Sequence, residues 1–239
     1  MANWQERTQI MVGADGLERL RNANVLVAGV GGVGSYAVEQ LVRAGIGNIT
    51  LVDADVVNPS NRNRQLPALI STETIKKVEV VKQRCLDINP ELNITTYDIF
   101  LKEELIPELI DFQKYDFVVD AIDTLSPKVY LIFETVKRNI PLISSMGAGG
   151  KLDPSKISIT DISKSYHCNL ARMVRKRLHK LNIHKGFSVV FSPEEVDDEM
   201  IIHVEGEQNK KTTVGTISYM PAMFGCYVGS HVIRNLLHK

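Results

Sequence analysis

Short apolar runs alternate with segments of helical periodicity over the first 145 residues. The runs predict strands at 25–28, 48–52, 93–97, 117–120 and 141–145, and the periodic segments predict helices at 15–21, 36–44 and 72–88. Strands that alternate with helices favour a doubly wound α/β sheet in which the strands are mostly parallel.

The later part of the chain has a less regular pattern and predicts a mixed arrangement. Strands are expected at 157–160 and 187–191, on either side of a helix at 169–181. The predicted buried face of this helix comprises Leu170, Met173, Val174, Leu178 and Leu181. The apolar segment 217–237 predicts a buried helix, because Pro221, His231 and Arg234 interrupt it as a membrane span. With no repeat and no low-complexity linker, one domain over residues 1–239 is the simplest account.

A glycine cluster separates the first strand from the helix that follows it. Gly29, Gly31, Gly32 and Gly34 form a Gly-x-Gly-Gly-x-Gly turn, and glycine lets a ligand lie against the main chain. The start of the next helix favours a phosphate there. Asp53, about 20 residues further on, is placed to accept hydrogen bonds from a ribose. The cluster predicts a Rossmann-like nucleotide site, with a ligand-free turn as the alternative, and does not choose between NAD and ATP.

The segment 53–65 is rich in acids, amides and arginines. Nucleotidyl transfer needs such phosphate-binding groups and hydride transfer does not, although a solvated loop is the alternative. Lys77 lies near a helix start, where a cation gains nothing from the dipole, so an anion is expected beside it. Asp123, past the fourth strand, can reach a Mg²⁺ ion held by nucleotide phosphates, whereas Asp120 is expected to cap the turn.

Charged residues balance over the whole chain but are unevenly distributed along it. The chain is 44% hydrophobic, with 28 basic and 28 acidic residues, as in a globular protein without a global field. Residues 164–185 contain seven Lys or Arg and no acid, whereas residues 194–207 contain seven acids and no Lys or Arg. The basic segment is either a solvated face or a surface for RNA phosphates.

The cysteines and the N-terminus narrow the class further. Cys85, Cys168 and Cys226 form no C-x-x-C pair, which argues against a disulfide framework and a four-cysteine zinc site. Cys85 and Cys226 are interpreted as core residues and not as nucleophiles. The first residues show no basic segment followed by an apolar one, so the cytoplasm is the expected compartment and no membrane partner is expected.

Several of these elements, in this order, resemble the adenylation fold of the ubiquitin-activating-like superfamily that includes ThiF and MoeB. The resemblance covers about residues 7–150 and implies an ATP- and Mg²⁺-dependent enzyme that adenylates a carboxylate. The implied nucleotide contacts are Gly29, Gly31, Gly32, Gly34, Asp53, Asp55, Ser60, Asn61, Arg64, Gln65 and Lys77. The implied catalytic residues are Arg7, Arg64, Lys77 and Asp123, with Asp123 also as the metal ligand. Arg7 matches an arginine finger that homodimers of this superfamily donate across their interface.

The second half departs from ThiF- and MoeB-type proteins, which commonly carry paired C-x-x-C zinc ligands. Segments 147–154, 161–164, 170–175 and 214–221 are instead similar to the tRNA threonylcarbamoyladenosine dehydratase family. This resemblance implies an ATP-binding half over 1–150, a substrate-binding half over 151–239, and ATP-dependent cyclisation of the modified adenosine beside the tRNA anticodon. A tRNA partner would give the basic segment its anion. The predicted phosphate-contacting residues are Arg172, Arg175, Lys176 and Lys180.

Two other functions compete with this interpretation. A sulfur-carrier activator would adenylate the C-terminal glycine of a small ubiquitin-like protein, but the missing zinc cysteines and the basic segment argue against it. A non-catalytic, nucleotide-binding scaffold of a cysteine-desulfurase system is disfavoured by the intact set of Arg7, Arg64, Lys77 and Asp123. The same residues disfavour a dehydrogenase.

Overall fold

The computed structural model describes residues 4–203 and 212–238. The strands in these ranges are β1 (Asn24–Ala28), β2 (Asn48–Val52), β3 (Asn93–Tyr97), β4 (Phe117–Asp120), β5 (Leu142–Ser145), β6 (Ser158–Asp161), β7 (Ser188–Phe191), β8 (Ile201–His203) and β9 (Thr212–Val214). The α-helices are α1 (Glu6–Asn22), α2 (Gly34–Ala44), α3 (Lys77–Ile88), α4 (Ile106–Asp111), α5 (Leu125–Lys137), α6 (Asn169–His179) and α7 (Tyr219–Leu237).

Seven strands form one sheet in the order β3-β2-β1-β4-β5-β7-β6. Neighbouring strands are parallel, except that β6 runs antiparallel to β7. The predicted fold class is therefore confirmed, and the five early strands were placed within one residue of their observed bounds. Strands β8 and β9 pair separately and were not predicted, nor were α4 and α5.

Helices cover both faces of the sheet, because successive residues of its buried strands point to opposite sides. Val25 and Val27 of β1 pack in the layer of α2, α3 and α7. Leu26 and Ala28 pack in the opposite layer, with α4, α5 and α6. None of the helices in the described ranges is long and apolar enough to cross a membrane.

Two predicted helix starts were wrong. Helix α1 begins at Glu6 and not at residue 15, with a break at Gly13 (φ 76°, ψ 171°), so Arg7 is helical. Helix α3 begins at Lys77 and not at residue 72. Thr74 adopts a left-handed φ of 68°, and Lys76 forms an antiparallel bridge with Val56. Pairing with the loop after β2 therefore prevails over local helix propensity.

The predicted buried face of α6 was partly wrong, whereas the helix predicted in segment 217–237 is present as α7. Ala171, Val174 and Leu178 are buried in α6, whereas Met173 is 40% exposed. The buried face of α7 comprises Met220, Phe224, Val228, Val232 and Leu236. Small residues let this helix approach α2 closely: a Cβ on Gly225 would lie 2.5 Å from the carbonyl oxygen of Val33, and one on Gly229 2.7 Å from Gln40 Cβ.

A shielded carboxylate joins α2 to α3. Glu39 accepts hydrogen bonds from Arg84 Nε and Nη2 at 2.7 and 2.9 Å, and from Arg43 Nε at 2.8 Å. Burial acts to raise the pKa of Glu39, but the hydrogen bonds from Arg84 and Arg43 outweigh it and lower the pKa below its ordinary value. A carboxyl group of this kind stabilises the fold above its unfolded-state pKa, and that stabilisation is lost as the pH falls through its native pKa.

Replacing Glu39 with Gln should therefore cost stability in a pH-dependent way. We expect Glu39→Gln to lower the free energy of unfolding by about 2 kcal/mol at pH 7, because charged hydrogen bonds are lost. The difference from wild type should narrow below about pH 4, where the wild-type carboxylate becomes protonated. Urea denaturation across this range measures both effects. The exposed Glu79→Gln variant is the control, and a cost for Glu39→Gln that does not vary with pH would contradict the assignment.

Candidate nucleotide-binding site

The strand order reverses between β1 and β4, and the predicted glycine turn lies at this reversal. Gly29 has a left-handed φ of 86°, and a Cβ there would lie 2.7 Å from the carbonyl oxygen of Ala121, just after β4. A Cβ on Gly34 would overlap the carbonyl oxygen of Gly29. Doubly wound sheets bind ligands in the crevice at the carboxyl ends of the strands where the order reverses. The glycine turn and residues 121–123 form the two sides of this crevice.

Asp53, the predicted ribose ligand, accepts hydrogen bonds from the main chain at Val30 and at Asp55. Its Oδ2 accepts a hydrogen bond from Val30 N–H at 2.8 Å, and its Oδ1 accepts one from Asp55 N–H at 2.8 Å. Burial raises the pKa of Asp53, and the charge of Lys77 opposes this only in part. A carboxylate has about four acceptor sites, so both oxygens retain capacity for ribose hydroxyls.

Residues 60–65 fold over the glycine turn. The Gln65 amide nitrogen lies 3.6 Å from where a Cβ of Gly31 would be, and the Arg64 carbonyl oxygen lies 3.6 Å from the same position on Gly32. Arg64 Nη1 donates to Ser60 O at 2.9 Å and to Asn63 Oδ1 at 2.8 Å. These bonds hold the guanidinium beside the turn.

Two buried polar groups test whether the crevice suits a nucleotide. Asn61 is 8% exposed, and its Oδ1 caps the 59–61 turn by accepting from Asn58 N–H at 3.1 Å. Gln65 Oε1 is buried and has no hydrogen-bond partner, although its amide lies against Gly31. Buried polar atoms are rarely left unpaired, and this orphan is an acceptor, so the partner that it lacks is a donor, such as a hydroxyl or amino group of a nucleotide and not a phosphate oxygen. The donors and the glycine main chain fit a nucleotide phosphate.

The anion expected beside Lys77 is the carboxylate of Asp55. Lys77 Nζ lies 2.7 Å from Asp55 Oδ2, with 5% of the lysine side chain and 68% of the aspartate side chain exposed. The main chain of Lys77 also donates to Asp55 O at 3.0 Å. Asp55 thus fixes the ammonium group at the mouth of the crevice.

Asp123 is exposed three residues beyond β4, on the side of the crevice opposite the glycine turn. Within residues 4–203 and 212–238, no group of three or more His, Cys, Asp or Glu could hold a metal ion. Mg²⁺ commonly binds through one or two carboxylates plus substrate phosphates, and Asp123 fits that mode. The expectation for Asp120 was incomplete. It does accept from Ile122 N–H at 3.1 Å in the turn, but it is fully buried and paired with Lys128, a residue that sequence reasoning missed.

Arg7 lies far from this crevice in its own chain. Gln5, two residues before it, packs on Gly45 at the end of α2, whereas the glycine turn is at the start of that helix. The 11 residues of α2 span roughly 16 Å. Arg7 is exposed, and the neighbouring Ile10 and Met11 are 80% and 84% exposed. One chain therefore does not bring Arg7 together with the other predicted catalytic residues.

The second glycine turn, residues 147–150, is a packing junction. Gly149 lies against Val214 and Thr216, and Gly150, at a left-handed φ of 68°, donates its N–H to Gly215 O at 2.8 Å. Asn63 Nδ2 in turn donates to Thr216 O at 2.9 Å. The segment after β9 therefore lies between this turn and the loop that carries Arg64, and Thr216 contacts both.

Helix α6 contacts the same edge of the sheet. Leu170 lies 3.9 Å from where a Cβ of Gly147 would be, and Arg177 Nη1 donates to Ser126 Oγ, near the start of α5, at 2.7 Å. Of the predicted phosphate-contacting residues, Arg172, Lys176 and Lys180 are exposed. Arg175 is half-buried and donates to the carbonyl and hydroxyl oxygens of Ser165, so it also holds the chain before the helix.

The acidic segment packs close to the start of the basic one. Glu194 accepts hydrogen bonds from the N–H groups of Leu152 and Asp153, each at 3.0 Å, and the adjacent Glu195 lies 3.1 Å from His167. Glu205 and Glu207, also counted in the acidic segment, lie outside the described residues.

The interpretation as core residues is confirmed for Cys85 and only in part for Cys226. Cys85 and Cys168 are buried and Cys226 is half-buried. Burial raises the pKa of the Cys85 thiol to about 12, and it also raises that of Cys226. Thiols with raised pKa values are poor nucleophiles.

A profile of the ThiF family matches residues 6–239. The chain belongs to the ThiF family. A tRNA threonylcarbamoyladenosine dehydratase of Bacillus subtilis is 42% identical over 97% of this chain and 93% of its own length. A molybdopterin-synthase adenylyltransferase of Haemophilus influenzae is 33% identical over 67% of this chain and 68% of its own length.

A solved structure has nearly the same fold. Escherichia coli TcdA, a tRNA N6-threonylcarbamoyladenosine dehydratase determined in complex with AMP, superposes with a TM-score of 0.88. It is 34% identical, and the match covers 98% of this chain and 96% of the TcdA chain. TcdA has also been determined in complex with ATP. The TcdA match therefore includes the second half of the chain, and it covers more of this chain than the adenylyltransferase match does.

Proposed function

We propose that this protein is an ATP-dependent tRNA threonylcarbamoyladenosine dehydratase. The observation that carries the proposal is the nearly full-length match to TcdA, determined with AMP and ATP, on a chain whose glycine turn at the reversal of strand order fits a nucleotide phosphate. The proposed tRNA substrate supports a cytoplasmic location for the reaction. Residues 1–150 contain the proposed ATP site, and residues 151–239 supply the basic surface proposed for tRNA.

The proposed reaction has two steps. The carboxylate of the threonyl group attacks the α-phosphorus of ATP, which gives an acyl-adenylate and releases pyrophosphate. The carbamoyl group then attacks the activated carbonyl carbon, which closes the ring and releases AMP. Binding holds the internal nucleophile close to the activated carbon. The net change in the nucleoside is the loss of one water.

The crevice contains groups suited to the charge that moves in the first step. Arg64 and Lys77, held by Ser60 and Asp55, would stabilise negative charge on the phosphate oxygens. Asp53 would bind the ribose, while Asn61, Gln65 and the glycine turn would contact the phosphates. Asp123 would hold Mg²⁺, which would neutralise charge on the phosphates.

We further propose a homodimer in which Arg7 of the partner subunit completes the site. Leu69 and Ile70, beyond the Arg64 loop, are 57% and 77% exposed, and Ile10 and Met11 beside Arg7 are exposed as well. In a two-fold dimer, Ile10 and Met11 of each subunit would pack on Leu69 and Ile70 of the other subunit. This contact would bring Arg7 of each subunit to the crevice of the other. The proposed chemistry transfers no sulfur, so a cysteine desulfurase would be a partner only under the alternative functions.

The direct test is nucleoside analysis. Incubation with Mg²⁺, ATP and tRNA carrying threonylcarbamoyladenosine should lower the mass of that nucleoside by one water and form AMP. Omission of ATP is the control. An unchanged nucleoside, together with pyrophosphate release in the presence of a ubiquitin-like sulfur carrier, would replace the proposal with the carrier-activating function.

The shared site predicts complementation between two inactive variants. Arg7→Ala and Asp123→Asn should each fold and lose turnover. Coexpressed in equal amounts, they should regain about a quarter of wild-type turnover, because half of the dimers are mixed and each mixed dimer has one intact site. The pair Arg64→Ala and Asp123→Asn is the matched control and should stay inactive, since no combination restores a site. Turnover of the first mixture at the level of the control would contradict donation across the interface.

The exposed cations of α6 predict a salt-dependent effect on tRNA. Arg172→Glu combined with Lys176→Glu should raise the apparent KM for tRNA about tenfold and flatten the slope of log affinity against log salt by about two, leaving ATP affinity unchanged. Lys114→Glu with Lys137→Glu makes the same charge change on exposed residues near the amino ends of β4 and β5. If both double variants behave alike, α6 is only a solvated face.

A further inference from the structure

A fully buried ion pair lies behind Asp123, and the proposed mechanism does not use it. Lys128 Nζ lies 2.8 Å from Asp120 Oδ2, and both residues are 0% exposed. Ser144 Oγ donates to the same aspartate oxygen at 2.5 Å. Desolvation of two charges opposes folding, and well-packed apolar residues often serve a core as well. The pair therefore calls for an explanation other than stability.

The pair binds both sides of a single residue. The N–H of Ile122 donates to Asp120 Oδ1 at 3.1 Å, and the carbonyl oxygen of Ile122 accepts from Lys128 Nζ at 2.9 Å. Lys128 thus contacts the turn at its carboxylate and at its main chain. Because Asp123 directly follows Ile122, the backbone that carries the Asp123 carboxylate is fixed from the interior.

The same turn is also one wall of the nucleotide crevice. Ala121 N–H donates to Ala28 O, at the end of β1, at 2.8 Å. The carbonyl oxygen of Ala121 would lie only 2.7 Å from a Cβ placed on Gly29. A shift of residues 121–123 would therefore move the Asp123 backbone relative to the glycine turn.

We propose that Lys128 is a positioning residue: with Asp120 it sets the Asp123 turn against the glycine turn, and so fixes where a carboxylate can meet the magnesium ion of bound Mg·ATP. The proposal rests on the metal role proposed for Asp123. Groups that orient a metal ligand typically change metal affinity by 10- to 100-fold when they are removed. An apolar core of equal volume would stabilise the protein without providing this orientation.

The test separates positioning from stability by removing both charges together. Asp120→Asn with Lys128→Met keeps the side-chain sizes and leaves no unpaired buried charge, so this double variant should unfold at a temperature close to wild type. Calorimetric titration of ATP at increasing free Mg²⁺ gives the Mg²⁺ concentration for half-maximal binding. We expect this concentration to rise about tenfold in the double variant, with ATP binding in EDTA unchanged. Lys137→Met, an exposed change on the same helix, should match wild type.

A stable double variant with a wild-type Mg²⁺ requirement would overturn the proposal and leave the pair a purely structural feature. If the double variant does not fold, Ser144→Ala takes its place, because it removes one donor to Asp120 without unpairing a charge. About a threefold rise in the Mg²⁺ requirement is then expected, and no rise overturns the proposal. ATP binding that ignores Mg²⁺ in the wild type would refute the metal role itself. Mg²⁺-dependent ATP binding without action on tRNA would refute the proposed function alone.

Discussion

The close contact between the glycine turn and the residues after β4 is the constraint on which the site depends. Gly29 and Gly34 have no room for a Cβ, since Ala121 and the carbonyl oxygen of Gly29 occupy that space. This contact sets how β1, α2 and β4 meet at the reversal of strand order. Helix α2 is then held from behind by the small residues of α7 and laterally by Glu39 with Arg84. A helix fixed on three sides directs its free N–H groups at one place, which suits phosphate binding.

Around this contact, polar groups are held by other groups of the chain before any ligand arrives. Asp53 accepts from Val30 and Asp55, Asp55 pairs with Lys77, and Arg64 donates to Ser60 and Asn63. Such bonds reduce the ordering that binding would otherwise require, and preorganised charge is the main source of electrostatic stabilisation in enzymes. Gln65 Oε1 is the exception among these groups, because no group of the described chain donates a hydrogen bond to it.

The sequence predicted those parts of the fold that depend on local pattern. The strands at 48–52, 93–97 and 117–120 match their observed bounds because buried strands are short apolar or β-branched runs between turns. Contacts between elements that are distant in the sequence could not be predicted from the local pattern. The pairing of Val56 with Lys76 moved the start of α3, and the burial of Lys128 against Asp120 depends on how α5 packs on the sheet. Arg7 and the crevice likewise lie near opposite ends of α2, because the start of α1 packs on the end of that helix. The periodicity of the sequence does not reveal which end of α2 α1 contacts.

Segregation of charge reconciles a chain of zero formal net charge with a polyanionic substrate. The described acidic residues do not all lie free of contacts with their own chain: Glu194 accepts hydrogen bonds from two main-chain N–H groups, and Glu195 Oε1 lies 3.1 Å from His167 Nδ1. Binding these carboxylates to their own chain limits their repulsion of an approaching phosphate, since close partners offset their field. Arg172, Lys176 and Lys180 are exposed on a helix that contacts Gly147 and Ser126 at the edge of the sheet where Asp123 lies. A local field next to the crevice attracts a phosphate backbone within about a Debye length, whatever the net charge of the whole chain.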